Sequence, residues 1–303
     1  MRLFDFQVNG FAGVDFQSDD LTLEDLRKAV EALHAHQTVA MFLTLITDKV
    51  ENLCRKLERI ETFREQDPLV AGTIAGYHLE GPWITTEPGY HGAHPVELAR
   101  LPSLEDYRRL REASGGNLKL ITLAPELPGC PELIETASAD GIRIALGHCN
   151  PSMVAIDTAI ACGATLATHL GNAVPAVMDR HDNVIQRLLS KDSLIACLIP
   201  DGIHLPPFVL SNFYNAKKGN VFFTTDCMSA AGAPPGRYRI GPHEMDVGPD
   251  GVVHLPGDTR FAGSSLTMDK AVDNIIKWLD LSQADVINIC SATSAEHFNL
   301  SLS

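Results

Sequence analysis

Short apolar runs rich in β-branched residues alternate with longer stretches of helical periodicity along the chain. The runs at 3–8, 38–45, 74–79, 118–123, 143–146, 165–168, 194–199 and 221–225 read as strands. The intervening stretches 22–35, 49–66, 103–113, 131–139, 152–162, 182–190 and 206–217 read as helices. In the first of these, Leu23, Leu26, Val30 and Leu33 share one face, the spacing of an amphipathic helix. Eight strands alternating with helices imply a parallel α/β sheet with right-handed crossovers, either a closed barrel or a doubly wound sheet. The count of eight favours a (β/α)8 TIM barrel.

Two stretches interrupt the alternation. Residues 81–100 form a long loop after the third strand, rich in Pro, Gly and His. Residues 232–262 carry repeated turn signals between short alternating runs, and read as one or two β-hairpins inserted after the eighth strand. Two helices, about 264–279 and 282–297, follow. There is no solenoid-type repeat, low-complexity tract or flexible linker, so residues 1–303 read as a single catalytic barrel domain.

Composition narrows the classes of function. Of 303 residues, 45% are hydrophobic and 20% charged, which suits a globular chain with a sizeable core. The formal net charge of −14 argues against a nucleic-acid partner and against an anionic membrane surface. It also requires any phosphate-bearing substrate to meet a local basic patch. No apolar run approaches the roughly 18–20 residues that cross a bilayer, and MRLFDFQVNG does not read as a signal peptide. Seven cysteines without a C-x-x-C pair fit neither a disulfide framework nor a structural zinc site, and point to a reducing, cytoplasmic setting. Cys149 and Cys227 each follow a candidate site residue and read as packing neighbours of the site.

In a (β/α)8 barrel the catalytic groups sit at the C-terminal ends of the strands. Here those ends carry Glu80 after strand three, His148 after strand five, His169 after strand six, His204 after strand seven and Asp226 after strand eight. Any one alone is more often a turn cap or a hydrogen-bonded loop residue than a functional group. All five together require the same accident at five strand ends. A Glu with two imidazoles is a donor set that Zn2+ accepts, leaving a position for water whose pKa falls toward neutrality. A carboxylate beside that water can take its proton and later deliver it to a leaving group. The set is chemically complete for hydrolysis. His34 and His36, by contrast, lie on a helix where i and i+2 point to different faces, and read as structural.

The ordered motifs also resemble a known family. Asp5–Gly10 (DFQVNG), His78-Leu79-Glu80-Gly81-Pro82-Trp83, Gly92-Ala93-His94-Pro95 and Thr122-Leu123-Ala124-Pro125-Glu126 are followed by Gly147-His148-Cys149-Asn150. Then come Ala167-Thr168-His169-Leu170-Gly171-Asn172-Ala173, Asp201-Gly202-Ile203-His204, Thr225-Asp226 and Ala262-Gly263-Ser264-Ser265-Leu266-Thr267-Met268. This set spans nearly the whole chain and is similar to the N-acetylglucosamine-6-phosphate deacetylases of the amidohydrolase superfamily. The resemblance implies that Glu80, His148 and His169 bind one divalent metal ion, Zn2+ or an alternative such as Fe2+ or Co2+. It implies that Asp226 is the acid/base and that His94 polarises an acetamide carbonyl. It implies that Asn172, Ala173 and His204 contact an amino-sugar phosphate. It further implies a homodimer in which Arg180 meets the phosphate across the interface.

Four departures from the family pattern qualify these expectations. Strand one carries Gln7-Val8-Asn9 in place of the His-x-His that supports a second metal, so one ion is expected. The loop from Glu80 to His94 is longer than usual, and its His91 competes with His94 for the carbonyl role. The β-sandwich that family members form from both chain ends has no counterpart outside 232–262. Gly171 stands where an aromatic is common. The last two bear on the substrate more than on the chemistry. Alternatives are another N-acyl substrate, such as N-acetylgalactosamine-6-phosphate, an unphosphorylated amino sugar or an N-acyl amino acid, and a sugar-binding homologue without turnover.

Overall fold

The computed structural model describes residues 1–255 and 263–302. Eight strands lie in chain order, each parallel to the next. They are β1 (Leu3–Val8), β2 (Thr38–Ile46), β3 (Ile74–Glu80), β4 (Leu118–Leu123), β5 (Arg143–Leu146), β6 (Ala164–Ala167), β7 (Ile195–Leu198) and β8 (Val221–Phe223). Outward residues such as Leu43, Tyr77, Ile121 and Ile144 are buried beneath the surrounding helices. The helix Leu23–Ala35 is typical: Thr22 and Asp25 form a reciprocal capping box at its start, and Leu26, Ala29, Val30 and Leu33 face the barrel. The (β/α)8 expectation therefore holds. One short helix, Pro68–Thr73, was not legible from periodicity; it is nucleated by Asp67, which accepts from the amides of Leu69 and Val70, with Pro68 in the first turn.

Side-chain bonds help to close the seam between β1 and β8. Val8 bridges Cys227, and the Asn9 amide donates to the Cys227 carbonyl at 2.7 Å. Below this, the buried Asp5 carboxylate accepts from the hydroxyls of Thr224 (2.6 Å) and Thr225 (2.5 Å). Burial raises the Asp5 pKa while these bonds oppose the rise.

The barrel interior is layered. At the N-terminal end, Phe4, Phe6, Phe42 and Phe222 pack with Phe298 from the C-terminal segment. The Phe42 ring lies edge-on to Phe4 (5.0 Å) and Phe298 (4.9 Å). Above this layer lies a hydroxyl–imidazole layer in which His78 Nε2 meets Thr122 Oγ1 at 2.8 Å, and Thr122 meets Thr168 at 2.7 Å. Burial pushes His78 down to about 4, so it is neutral there.

A β-bulge makes the change to the polar mouth possible. In β1, Asp5 pairs with Met41 but Val8 with Leu43, one residue more on β1 than on β2. Phe4 and Phe6 point inward below the bulge, and Gln7 and Asn9 reach the site above it. Without the extra residue, Val8 would take the inward position.

The insertion after β8 forms an antiparallel sheet of β9 (Gly236–Ile240), β10 (His243–Val247) and β11 (Val253–His254). Ile240, Met245, Val247 and Val253 pack against Ile46, Met228 and Ala230 beside the mouth. Residues 256–262 of the expected hairpin stretch lie outside the described residues. The last helices are Met268–Trp278 and Gln283–Asn288, the latter continuing through a π-helical turn, Ile289–Thr293, into Ser294–His297. Among the described residues no helix is long and apolar enough to cross a membrane.

Candidate metal centre and active site

Three strand ends converge on one point. His148 Nε2 and His169 Nε2 lie 3.0 and 3.1 Å from Glu80 Oε1, and 3.1 Å from each other. All three side chains are buried. Ligands around a tetrahedral ion with bonds of 2.0–2.1 Å stand roughly 3.3 Å apart, so this donor triangle fits a divalent metal. Glu80, His148 and His169 are the one such group among the described residues. The Nδ1 atoms of both histidines are buried without a partner among the described residues, where Glu80 is the polar contact the two rings share.

Protonation suits the same role. Burial favours a neutral Glu80, but its close contacts with His148 and His169, with His94 nearby, overcome it and hold the carboxyl well below its ordinary value. Burial, with the neighbouring His94, pushes His148 down to about 3, leaving an unprotonated nitrogen for a ligand. Burial also opposes charge on His169, but Glu80 outweighs it and raises the pKa.

Asp226 stands beside this triangle, tied to it by the end of β1. Gln7 Nε2 donates to Glu80 Oε1 at 2.9 Å and to Asp226 Oδ1 at 3.0 Å, while Asn9 Nδ2 donates to the same Asp226 oxygen at 2.8 Å. Burial and the charge of Glu80 push Asp226 up to about 7. The backbone is held in the left-handed region at His148 (φ +50°), His169 (+26°), Ala173 (+50°) and Asp226 (+49°). Such conformations cost about 1–3 kcal/mol each and gather at functional sites.

The long loop after β3 supplies His94. Its Nδ1 accepts from the Thr47 amide at 3.3 Å and lies 2.8 Å from the Thr47 hydroxyl. An amide can only donate, so the neutral ring carries its proton on Nε2, which lies 3.7 Å from Glu80 Oε2. That N–H is available to a developing oxyanion. His91 also lines the cavity, but its Nδ1 has no partner among the described residues to fix the tautomer.

The triangle lies in a cavity of about 640 Å3 lined also by Asn9, His91, His94, Asn172, Ala173, His204 and Asp226. His204 is held by Asp201, whose Oδ2 lies 2.5 Å from His204 Nδ1 and whose Oδ1 accepts from the amides of Ile203 and His204 at 2.8 Å. Asn172 is tethered to the His169 carbonyl at 3.1 Å. Arg180 is exposed and absent from this lining. Gly171 (φ +95°) lines the wall, and a Cβ there would come within 2.7 Å of Phe213 Cε2 and 3.0 Å of Leu205 Cδ2, so the neighbours leave little room for a side chain at this position. Cys149 and Cys227 are buried packing residues, and His34 and His36 bond separately to Thr73 and Asp269.

The residues that sequence reasoning missed are those that hold the others. Gln7 and Asn9 were legible only as the absence of a second histidine pair; their polarity at the end of an apolar strand was the available signal. Asp201 was legible only as part of the motif that carries His204, and Thr47 gave no signal, because its role depends on loops that only the fold brings together.

No family model matches the chain. It is 31% identical over 309 residues to the N-acetylglucosamine-6-phosphate deacetylase of Mus musculus, covering 98% of this chain and 73% of that protein. The Bacillus subtilis (strain 168) protein of the same name is 29% identical over 301 residues, covering 98% and 74%. A mutant N-acetyl-D-glucosamine-6-phosphate deacetylase from Mycobacterium smegmatis, solved in complex with N-acetyl-D-glucosamine-6-phosphate, superposes with a TM-score of 0.86 at 28% identity, covering 98% and 77%. The Pasteurella multocida N-acetylglucosamine-6-phosphate deacetylase gives 0.87 at 26%, covering 98% and 76%. The site residues, the eight-stranded barrel and these likenesses along nearly its full length agree: the chain belongs to the N-acetylglucosamine-6-phosphate deacetylase family of the amidohydrolase superfamily.

Proposed function

We infer that this protein is a metal-dependent deacetylase that hydrolyses N-acetylglucosamine-6-phosphate to glucosamine-6-phosphate and acetate. The observation that carries the reading is the Glu80–His148–His169 triangle with Asp226 hydrogen-bonded into its edge. Those three residues would hold one divalent ion, with Zn2+ favoured by the mixed nitrogen and carboxylate donors and Fe2+ or Co2+ as alternatives. When bound, the ion supplies Lewis acidity that makes water a nucleophile near neutral pH. Asp226 receives the proton of the attacking water and returns it to the departing amine. His94, with Nδ1 engaged by Thr47, donates from Nε2 to the carbonyl oxygen as it gains charge. Gln7 and Asn9 keep the Asp226 carboxylate turned toward the ion site.

The sugar lies toward Asn172, Ala173 and His204, with His91 at the loop edge of the cavity. The described lining contains no Lys or Arg, so the phosphate needs a cation from elsewhere. A homodimer supplies one. Arg180 is exposed and does not line its own cavity, as suits a residue that reaches a second copy. The chain then works as one catalytic domain, and its seven free cysteines suit a reducing cytoplasm.

Metal analysis together with acetate release from N-acetylglucosamine-6-phosphate tests the reading. About one ion per chain and turnover that a chelator abolishes are expected; a metal-loaded protein that releases no acetate would refute it. The lack of Lys and Arg in the described lining favours one second reading, an unphosphorylated N-acyl amino sugar. Equal kcat/KM with and without the 6-phosphate, unaltered by Arg180→Ala, would establish that reading.

A further inference from the structure

The cavity has one wall to which the chemistry so far gives no task. Ile46, Ala93, Ile240 and Leu255 all line it and belong to one apolar cluster. They come from the end of β2, the loop after β3, the small sheet after β8 and the position just after that sheet's last strand. Ile46 pairs with Glu80 across β2 and β3 and precedes Thr47, which holds His94. Its Cδ1 reaches toward Gly241, where an added Cβ would stand 3.6 Å away. The apolar wall thus flanks the metal ligand and the carbonyl-polarising histidine.

Across the barrel the lining differs. Strands two and six are diametrically placed in an eight-stranded barrel, and the loops after β6 and β7 present Asn172 and His204 together with the apolar Val174, Pro175 and Ala176, so this side is mixed while the Ile46 side is apolar throughout. The scissile amide must sit between the two sides, with its carbonyl at Glu80, His94 and Asp226. One substituent of that carbonyl is a polar sugar and the other is an alkyl group. A methyl against Asn172 and His204 would strip water from polar groups without replacing their hydrogen bonds, whereas against Ile46 and Ile240 it buries apolar area.

We propose that the Ile46–Ala93–Ile240–Leu255 wall is the acyl subsite, and that Ile240 of the small sheet and Leu255 just after its last strand set the length of the acyl chain the enzyme accepts. This rests on the deacetylase reading and adds a task for the inserted sheet. The sheet closes the acyl side of the mouth, so the enzyme measures the leaving acid with one structural unit and the sugar with another.

The test compares metal-loaded wild type, Ile240→Ala, Leu255→Ala and the milder Ile240→Val on N-acetyl-, N-propionyl- and N-butyrylglucosamine-6-phosphate. One methylene in an apolar pocket discriminates by about 10- to 200-fold. Wild type should therefore lose about tenfold or more in kcat/KM per added carbon, and Ile240→Ala or Leu255→Ala should recover most of that loss. Ile240→Val reports in the same direction if the alanine variant fails to fold. Asn172→Ala, on the sugar side, should lower kcat/KM for all three substrates by one common factor. Acyl-length ratios within twofold of wild type in the folded wall variants overturn the subsite while leaving the deacetylase reading intact. A ratio that moves instead in Asn172→Ala places the acyl group on the other wall and also overturns it. Absence of acetate release by metal-loaded wild type overturns the parent reading and the subsite with it.

Discussion

The two ends of this barrel are built from the same strands and obey opposite rules. At the N-terminal end, Phe4, Phe6, Phe42, Phe222 and Phe298 bury their rings against one another with no polar atom to satisfy. At the mouth, a buried carboxylate, two imidazoles and a second carboxylate lie within hydrogen-bonding distance of their neighbours, three of them on left-handed backbone. The first arrangement gains from every contact, while the second costs burial of charge and backbone strain. Strand β1 shows how close the two regimes lie, because one bulged residue separates inward Phe6 from the site residues Gln7 and Asn9. Stability and chemistry are segregated along the barrel axis, and mutations at the two ends should separate them.

The sharpest break comes at Asp226. Asp226→Asn keeps the shape and leaves Glu80, His148 and His169 in place, so metal content by elemental analysis should be unchanged. Turnover should fall by about 10²–10⁴-fold, the usual loss of a positioned acid/base. Near-normal acetate release would show that the mouth does not divide its roles as described. The converse belongs to the other end. Phe42→Ala removes a ring in contact with Phe4 and Phe298 and should destabilise by about 3–5 kcal/mol in denaturant unfolding. Per folded, metal-loaded molecule its kcat/KM should match wild type, and a fall in kcat as large as that in Asp226→Asn would erase the distinction between the ends.

This segregation also explains what was legible in the sequence. The strands were readable because each is a short apolar run, and the ligands because Glu80, His148 and His169 interrupt apolar sequence at strand ends. Asp226 was readable in the same way at the end of strand eight, and motif resemblance then singled out His94 from other polar loop residues. The supporting contacts were not readable. Thr47 holds His94 across 47 residues of sequence and Gln7 spans 219 to Asp226, and neither spacing has a periodicity that marks it. The bulge in β1 is likewise invisible, since Leu3–Val8 reads as uninterrupted strand. The cavity wall from the inserted sheet needed coordinates, because turn signals predict a hairpin but not the surface it covers.

Smaller effects refine the mouth itself. His94→Ala removes one donor to the developing oxyanion and should lower kcat by about 10²–10³-fold. His91→Ala should cost less, because no partner among the described residues holds its Nδ1 to fix the tautomer. Steady-state kinetics on the pair decide the assignment, and a larger loss in His91→Ala would transfer the role to that residue.

The smallest change tests the boundary within β1. Gln7 donates from one amide nitrogen to both Glu80 and Asp226, and Asn9 holds Asp226 independently. Hydrogen bonds to charged groups are worth about 1.5–3 kcal/mol; with Asn9 retained, Gln7→Leu should lose only the lower part of that range, about tenfold in kcat. Its metal content should persist, since none of the three ion donors is altered. Gln7→Glu separates donation from mere packing. It keeps the side-chain length but sets a third carboxylate against two others, so it should impair metal loading and turnover more than the apolar leucine does. If leucine proves the worse replacement, Gln7 acts by filling space, and the bulge that turns it inward serves packing as the aromatic end does.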